Sequence, residues 1–241
     1  MKLSDFKALT FDCYGTLIDW EPGMAAHLQP WAKRNGVQMG DAALLETYSK
    51  CEHAFEKANP GMLYPDILAG AHMELAKKLN IPVDEKAARA FGDSIGDWEP
   101  FPDSTEALAY LKKHYKLVIL SNVNDAGVAK SAAKMGNPFT DIITAEQVGA
   151  YKPAHNHFHE AFKRLKTLGV EKHQILHTAQ SLFHDHIPAN ELGIHNAWID
   201  RRAKRGGGAG ATVPVDRMPK LDYRFESMAE FVEAHKKETG G

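Results

Sequence analysis

The chain has 241 residues, of which 44% are hydrophobic and 25% charged, and its formal net charge is −2. These values are typical of a soluble globular protein with one large domain, or with a core and a smaller inserted domain. The small net charge argues against a nucleic-acid partner or an anionic membrane surface. No apolar run approaches the roughly 18 residues that a membrane span needs. We expect a cytoplasmic protein, because the first predicted strand begins too close to Met1 to leave room for a signal peptide.

The first predicted element is a strand over residues 7–11, an apolar and β-prone run that ends in the carboxylate of Asp12. A buried parallel strand of this kind would deliver Asp12 to the carboxyl edge of a sheet, where open α/β folds bind ligands. Gly15 would allow a tight turn beside a ligand, and the Thr16 hydroxyl could hold either the carboxylate or a substrate. An Asp before a Gly in a turn after a strand is also common without any function.

Residues 18–98 contain no convincing strand and several amphipathic helical stretches. These stretches lie around Leu28 and Trp31 and over residues 44–55, 64–79 and 84–91. A helical block inserted after the first strand of a parallel sheet is typical of a lid over the catalytic edge. We therefore predict a helical cap over residues 18–98 and a catalytic core over residues 1–17 and 99–241, with the chain returning to the core near Pro100 and Pro102.

Strand and helix signals alternate after the cap. Strands are predicted over residues 116–121, 142–144, 175–178 and 196–199, with helices starting near Asp103 or Ser104, after Pro153 and near Pro188, and a last helix over residues 228–237. This alternation predicts an α/β fold with a Rossmann-like three-layer core and a parallel sheet. The glycine-rich run over residues 206–210 is predicted to form a surface loop without a function.

Four short segments with polar side chains each follow a predicted strand, so all four could meet at one edge of the sheet. They are the Asp12 loop, Leu120-Ser121-Asn122, Tyr151-Lys152-Pro153 and the loop over residues 179–185 that ends in Asp185. Each has an ordinary structural explanation when taken alone, as a turn, a helix start or a helix cap.

The order of these segments, and above all the sequence DCYGTL over residues 12–17, resembles the haloacid dehalogenase superfamily, specifically its type II 2-haloacid dehalogenase branch. The resemblance implies that Asp12 is a nucleophile whose attack on carbon or phosphorus gives an intermediate that water hydrolyses. Lys152 would keep Asp12 ionised and offset negative charge on the substrate. Thr16 would orient Asp12, Ser121 would donate a hydrogen bond to the substrate, and Asp185 would be the acid of the fourth segment.

Two positions separate the phosphatases of this superfamily from its dehalogenases. Phosphatases carry an aspartic acid two residues beyond the nucleophile to protonate the leaving alkoxide, and this chain has Tyr14 there. A tyrosine is a poor proton donor at neutral pH, whereas a leaving halide needs no proton. Their fourth motif usually opens with an acid that helps to hold Mg²⁺, and Gln180 stands at the matching position. The resemblance therefore implies metal-free, cofactor-free attack on carbon in a small halogenated carboxylic acid.

The same resemblance implies a set of substrate-binding residues: Tyr14, Asn122, Phe158 and Ser181. Type II dehalogenases also use an arginine from an early cap helix, but residues 42–55 contain none. Lys50 and His53 are the cationic candidates there, and a lysine does not reproduce the two-pronged hydrogen bonding of a guanidinium.

Two alternatives stay open, a Mg²⁺-dependent phosphatase of the same fold and a non-catalytic protein that binds a small carboxylate. We predict no histidine metal site, because the closely spaced histidines do not follow the spacing of a helix face. They are His155, His157 and His159, and His184 and His186. The sequence leaves open whether the chain forms a homodimer.

Overall fold

A computed structural model describes residues 1–203 and 213–240 of the chain. The described residues form a six-stranded parallel sheet with the strand order β3-β2-β1-β4-β5-β6. The strands are β1 Ala8–Phe11, β2 Lys116–Ser121, β3 Asp141–Thr144, β4 Ile175–Ala179, β5 His195–Ile199 and β6 Tyr223–Phe225. The first strand lies at the centre, between β2 and β4, so the residues that follow it reach the middle of the carboxyl edge.

Four helices follow β1 before the chain returns to the sheet, at the positions where amphipathic stretches are predicted. They are α1 Trp20–Arg34, α2 Asp41–Ala58, α3 Tyr64–Lys78 and α4 Glu85–Gly92. The other α-helices in the described residues are α5 Ser104–Leu111, α6 Asp125–Lys134, α7 Ala145–Val148, α8 Asn156–Thr167, α9 Ile187–Glu191 and α10 Met228–Thr239. A π-helical turn, Leu182–His186, precedes α9. The boundaries of the cap at residues 18 and 98 stay a prediction.

Helices cover both faces of the sheet, which makes three layers. Leu9 and Phe11 of β1 point into a cluster that includes residues of α5 and α10. Ala8, on the opposite face, joins Val118 and Leu120 in a second cluster with α8 and α9. Strands buried on both faces explain the continuous apolar runs in the sequence. The predicted α/β fold with a parallel sheet and an inserted helical block is confirmed.

The helices α2 and α3 approach each other closely at Gly70. The ring of Phe55, on α2, lies directly over Gly70 of α3, where a Cβ atom would collide with it. A Cβ atom at this position would therefore force the Phe55 ring to move. Among the helices of the described residues, none has the length and apolar character that crossing a membrane requires. The glycine-rich run over residues 206–210 lies outside the described residues.

Candidate active site

The loop after β1 holds the carboxylate of Asp12 in a fixed orientation. The Thr16 hydroxyl donates to Asp12 Oδ2 at 2.8 Å, and the same oxygen of Thr16 accepts a hydrogen bond from the backbone N–H of Gln180 at 2.8 Å. The loop turns at Gly15, whose φ of 93° is a conformation that side-chain-bearing residues rarely adopt. The loop after β1 and the loop after β4 are therefore joined through one hydroxyl.

Lys152 lies between two carboxylates at the sheet edge. Its Nζ is 2.8 Å from Asp12 Oδ1 and 2.8 Å from Asp185 Oδ1, and it also donates to the carbonyl of Leu120 at 2.9 Å. The lysine side chain is 1% exposed. All three ammonium hydrogens thus have a buried acceptor, which is the condition under which a buried lysine stays charged.

Lys152, Asp12 and Asp185 shift one another's pKa values. Burial opposes the charged form of Lys152, but Asp12 and Asp185 outweigh it and raise the pKa of the lysine above its ordinary value. Burial also opposes ionisation of Asp185, yet Lys152 and a hydrogen bond from His177 hold the pKa of Asp185 well below its usual range. Burial raises the pKa of Asp12; Lys152 opposes that rise and the Asp185 charge adds to it. Asp12 is therefore the more basic of the two carboxylates.

His177 is a buried member of this network that sequence reasoning missed. Its Nε2 is 3.0 Å from Asp185 Oδ1 and its Nδ1 is 2.9 Å from the Thr10 hydroxyl. Thr10 and His177 are directly paired in register across β1 and β4. Thr10 and His177 are polar residues within two largely apolar strands. This pattern indicates a buried polar contact only when the two strands are known to be neighbours, which the sequence alone does not show.

A cavity of about 130 Å³ opens at this edge, between the sheet and the cap. Of the residues predicted to act in catalysis or binding, six line it: Asp12, Tyr14, Asn122, Lys152, Ser181 and Asp185. Trp20 and Trp98 supply much of its apolar wall. The volume suits a small molecule.

Three predicted site residues do not line the cavity. Thr16 acts through Asp12, as described above. Ser121 is fully buried, and its hydroxyl oxygen accepts the N–H of Val123. Phe158, predicted as a substrate contact, instead packs against His177 with ring centroids 4.9 Å apart. The reason is that α8 turns its apolar face, with Phe158 on it, toward the sheet and away from the cavity.

Three cavity residues use their polar groups differently from the prediction. The Asn122 amide, predicted to bind the substrate, forms hydrogen bonds with the backbone of Lys152. Asn122 Oδ1 accepts the Lys152 N–H at 2.7 Å, and Asn122 Nδ2 donates to the Lys152 carbonyl oxygen at 3.3 Å. The Tyr14 hydroxyl is turned away to Ser131 at 2.8 Å, and burial raises its pKa well above the ordinary value. Ser181 Oγ accepts the N–H of His184 at 3.1 Å and so caps the π-helical turn. Asn122 and Ser181 therefore shape the site through backbone contacts.

The cap side of the cavity carries carboxyl groups where the sequence suggested a cation. Glu52 and Glu56, one turn apart on α2, both line the cavity, and we call them the cap carboxyl pair. Lys50 does not line it; its ammonium pairs with Glu46 on an exposed face. His53 does line the cavity. Sequence reasoning missed the pair because charged residues on an amphipathic helix are usually a solvated face.

Asp12 and Asp185 are the carboxylates at the sheet edge that could contribute ligands to a Mg²⁺ ion. The carboxylate oxygens of Asp12 and Asp185 that face each other are already bridged by the Lys152 ammonium. No group of three or more His, Cys, Asp or Glu side chains in the described residues is arranged to hold a metal ion. Mg²⁺ prefers oxygen ligands in near-octahedral geometry, and an ammonium competes directly for that position.

Comparisons with known proteins identify the family of this chain and its relatives. The family model of haloacid dehalogenase-like hydrolases matches residues 6–178. The chain is similar to the (S)-2-haloacid dehalogenase H-109 of Pseudomonas putida, with 24% identity over 224 residues, 87% of this chain and 92% of the relative. It also has the fold of the L-2-haloacid dehalogenase of Xanthobacter autotrophicus with chloropropionic acid covalently bound, with 17% identity, a TM-score of 0.77 and coverage of 95% of this chain and 97% of that one.

A further solved structure with the same fold is the putative HAD-hydrolase YfnB of Bacillus subtilis bound to magnesium, with 19% identity, a TM-score of 0.74 and coverage of 96% and 99%. Because the family model spans well over half of the sequence and includes Asp12 and Lys152, the chain belongs to the haloacid dehalogenase-like hydrolases.

Proposed function

We propose that this hydrolase cleaves the carbon–halogen bond of a small 2-halocarboxylic acid through an ester formed on Asp12. The observation that carries the proposal is the buried carboxylate of Asp12, which Thr16 and Lys152 orient at the base of a small cavity. The Pseudomonas putida relative is an (S)-2-haloacid dehalogenase and the Xanthobacter autotrophicus dehalogenase structure holds covalently bound chloropropionic acid, and both support the same chemistry.

The first step is a displacement at carbon. An Asp12 oxygen attacks the carbon that bears the halogen, a C–O bond forms, and the C–X bond breaks with its electron pair leaving on the halide. The Lys152 ammonium, held between Asp12 and Asp185, offsets the negative charge of these two carboxylates and keeps Asp12 ionised for the attack. No proton has to be delivered to the leaving group, so the Tyr14 hydroxyl, bonded to Ser131, is not needed for this step.

The second step is hydrolysis of the ester. Water attacks the Asp12 carbonyl carbon, the bond between Asp12 and the substrate oxygen breaks, and a 2-hydroxy acid leaves while the Asp12 carboxylate is restored. Of the two protons of the attacking water, one passes to the substrate oxygen that leaves and the other is released to solvent, while Asp185, in the cavity lining, accepts a hydrogen bond from that water. Both steps proceed without a metal ion, since Lys152 already supplies the positive charge beside the nucleophile.

A Mg²⁺-dependent phosphatase is the second candidate. One observation favours it: the magnesium-bound YfnB structure shares this fold. Against it stand Tyr14, which is a poor acid for a leaving alkoxide, and the neutral Gln180 at the position of a metal-binding acid.

The test is halide release from a panel of chloro-, bromo- and fluoroacetates and 2-halopropionates, run with excess chelator and with added Mg²⁺. Hydrolysis of p-nitrophenyl phosphate is measured in parallel, and the Asp12→Asn variant is the matched control. We expect halide release that Mg²⁺ does not change and that Asp12→Asn abolishes. Phosphate release that depends on Mg²⁺, with no halide released, would overturn the proposal in favour of the phosphatase.

A further inference from the structure

The cap carboxyl pair makes the cavity lining rich in acidic side chains, which is unusual for a site that would bind an anionic substrate. Among the described lining residues are four carboxyl groups, those of Asp12, Asp185 and the pair, and a single lysine. That lysine is held by Asp12 and Asp185. Burial lowers the pKa of His184, also in the lining, to about 4, so it is uncharged near neutral pH. An incoming carboxylate would meet strong repulsion if both members of the pair were ionised.

The two members of the pair have free hydrogen-bonding capacity directed at the cavity. The Tyr64 hydroxyl donates to Glu52 Oε1 at 2.5 Å, which leaves the second oxygen of Glu52 without a partner among the described residues. No described residue forms a hydrogen bond with the Glu56 carboxyl. Both side chains are only part-exposed. A carboxyl group in such a position can act as a donor when it carries a proton.

We propose that the cap carboxyl pair determines specificity by binding the carboxylate end of the substrate as neutral carboxylic acids, each donating a hydrogen bond to it. The inference rests on the proposed function, since it names the group that receives the carboxylate of the 2-haloacid. In this arrangement the pair replaces a cation at the cap side of the cavity. The site accepts an anion only while the pair is protonated.

The surroundings of the pair favour the protonated form at and just below neutral pH. Burial raises the pKa of Glu52 to about 7, a rise that the Tyr64 hydrogen bond opposes. Burial, helped by the Glu52 charge, raises the pKa of Glu56 to about 8. The pair deprotonates through this range as the pH rises.

The other titratable groups facing the pair come from every neighbouring element. They are Tyr48 and His53 on α2, Tyr64 on α3, Tyr151 before α8, His184 in the π-helical turn, and Asp12, Lys152 and Asp185 at the sheet edge. The tyrosines have a raised pKa because of burial and stay neutral throughout. Neutral phenols give an ionised carboxylate no counter-charge.

The experiment measures binding of an unreactive carboxylate, so it does not depend on turnover. Propionate is titrated into the wild-type protein between about pH 6 and about pH 9, where propionate itself is fully ionised. The readout is the fluorescence of Trp20 and Trp98, which line the cavity. Propionamide serves as the uncharged counterpart. The variants are Glu52→Gln, Glu56→Gln and the double variant, with Glu46→Gln, on the exposed face of α2, as the matched control.

We expect the Kd of propionate to rise about 10-fold or more across this range in the wild type and in Glu46→Gln, because binding requires a proton on the pair. The double variant keeps an uncharged amide donor at every pH, so its Kd should change less than about threefold, and each single variant should fall between. Propionamide binding should not depend on pH in any variant. In turnover of chloroacetate, the same dependence should appear in KM and not in kcat.

Propionate binding that does not weaken with pH would overturn the inference, and so would a double variant that keeps the wild-type profile. The two proposals fail separately. If no 2-haloacid is turned over but propionate binding follows the predicted profile, the proposed function fails and the role of the pair stands. If halide is released while the profile is flat, the proposed function stands and the role of the pair fails.

Discussion

The Lys152→Met substitution removes the positive charge that lies between the carboxylates of Asp12 and Asp185. Methionine nearly preserves the length of the side chain but cannot form the three hydrogen bonds of Nζ to Asp12, Asp185 and the Leu120 carbonyl. Two carboxylates are then buried side by side without a counter-charge. Breaking a buried ion pair by removing one partner costs about 3–5 kcal/mol of stability. Losing a comparable electrostatic donor lowers kcat by about 10²–10³.

Both quantities are measurable on one preparation. Stability comes from urea unfolding and kcat from halide release with chloroacetate. A domain stabilised by about 5–15 kcal/mol should survive the loss, so the variant remains folded for the kinetic assay. The matched control is Lys77→Met, which removes an exposed lysine paired with Glu74 at 2.7 Å on α3. It should cost less than about 1 kcal/mol and leave kcat unchanged. A Lys152→Met variant with kcat within about threefold of the wild type, or with stability lowered by less than about 1 kcal/mol, would refute this reasoning.

Three further predictions concern the surroundings of the site. His177→Ala should lower the free energy of urea unfolding by about 1–3 kcal/mol, because two buried polar groups lose their partner; a change below about 0.5 kcal/mol would contradict the network. Gly70→Ala should cost about 1–3 kcal/mol, since the added Cβ collides with Phe55, whereas Gly61→Ala, where the added Cβ meets nothing, should not. The raised pKa values of the cap carboxyl pair mean that unfolding releases protons, so the free energy of unfolding should fall as the pH rises from about 5 to about 8. The variant that carries both Glu52→Gln and Glu56→Gln should show a weaker pH dependence of the free energy of unfolding. A dependence equal to that of the wild type would contradict the raised pKa values of the pair.

The sheet could be predicted from the sequence because most of its strands are buried on both faces. Continuous apolar runs ending in polar residues located five strands within one residue of their observed ends, and they put Asp12 and Lys152 at one edge. The sixth strand, Tyr223–Phe225, was not predicted: it has three residues, includes the exposed Arg224, and exists through its pairing with β5. A strand of that length carries no pattern of its own.

The part of the site contributed by the cap could not be predicted in the same way. Glu52 and Glu56 occur on a helix rich in charged residues, and only the packing of that helix over the sheet edge distinguishes them from the exposed Glu46. Phe158 is the converse case. It was assigned to the substrate from the resemblance, and the structure buries it with Leu165 on the face of α8 that packs against the sheet, so a contact with the substrate stays a prediction.

The central claim is that Asp12 forms an ester with the substrate, and one labelling experiment tests it most directly. A single turnover is run in ¹⁸O-water with enzyme in excess over chloroacetate, and the peptide that contains Asp12 is analysed by mass spectrometry together with the glycolate product. Ester hydrolysis at the Asp12 carbonyl carbon predicts heavy oxygen in the Asp12 carboxylate and an unlabelled product in this first turnover. Heavy oxygen in glycolate with none in Asp12 would mean direct attack by water on the substrate and would contradict the account.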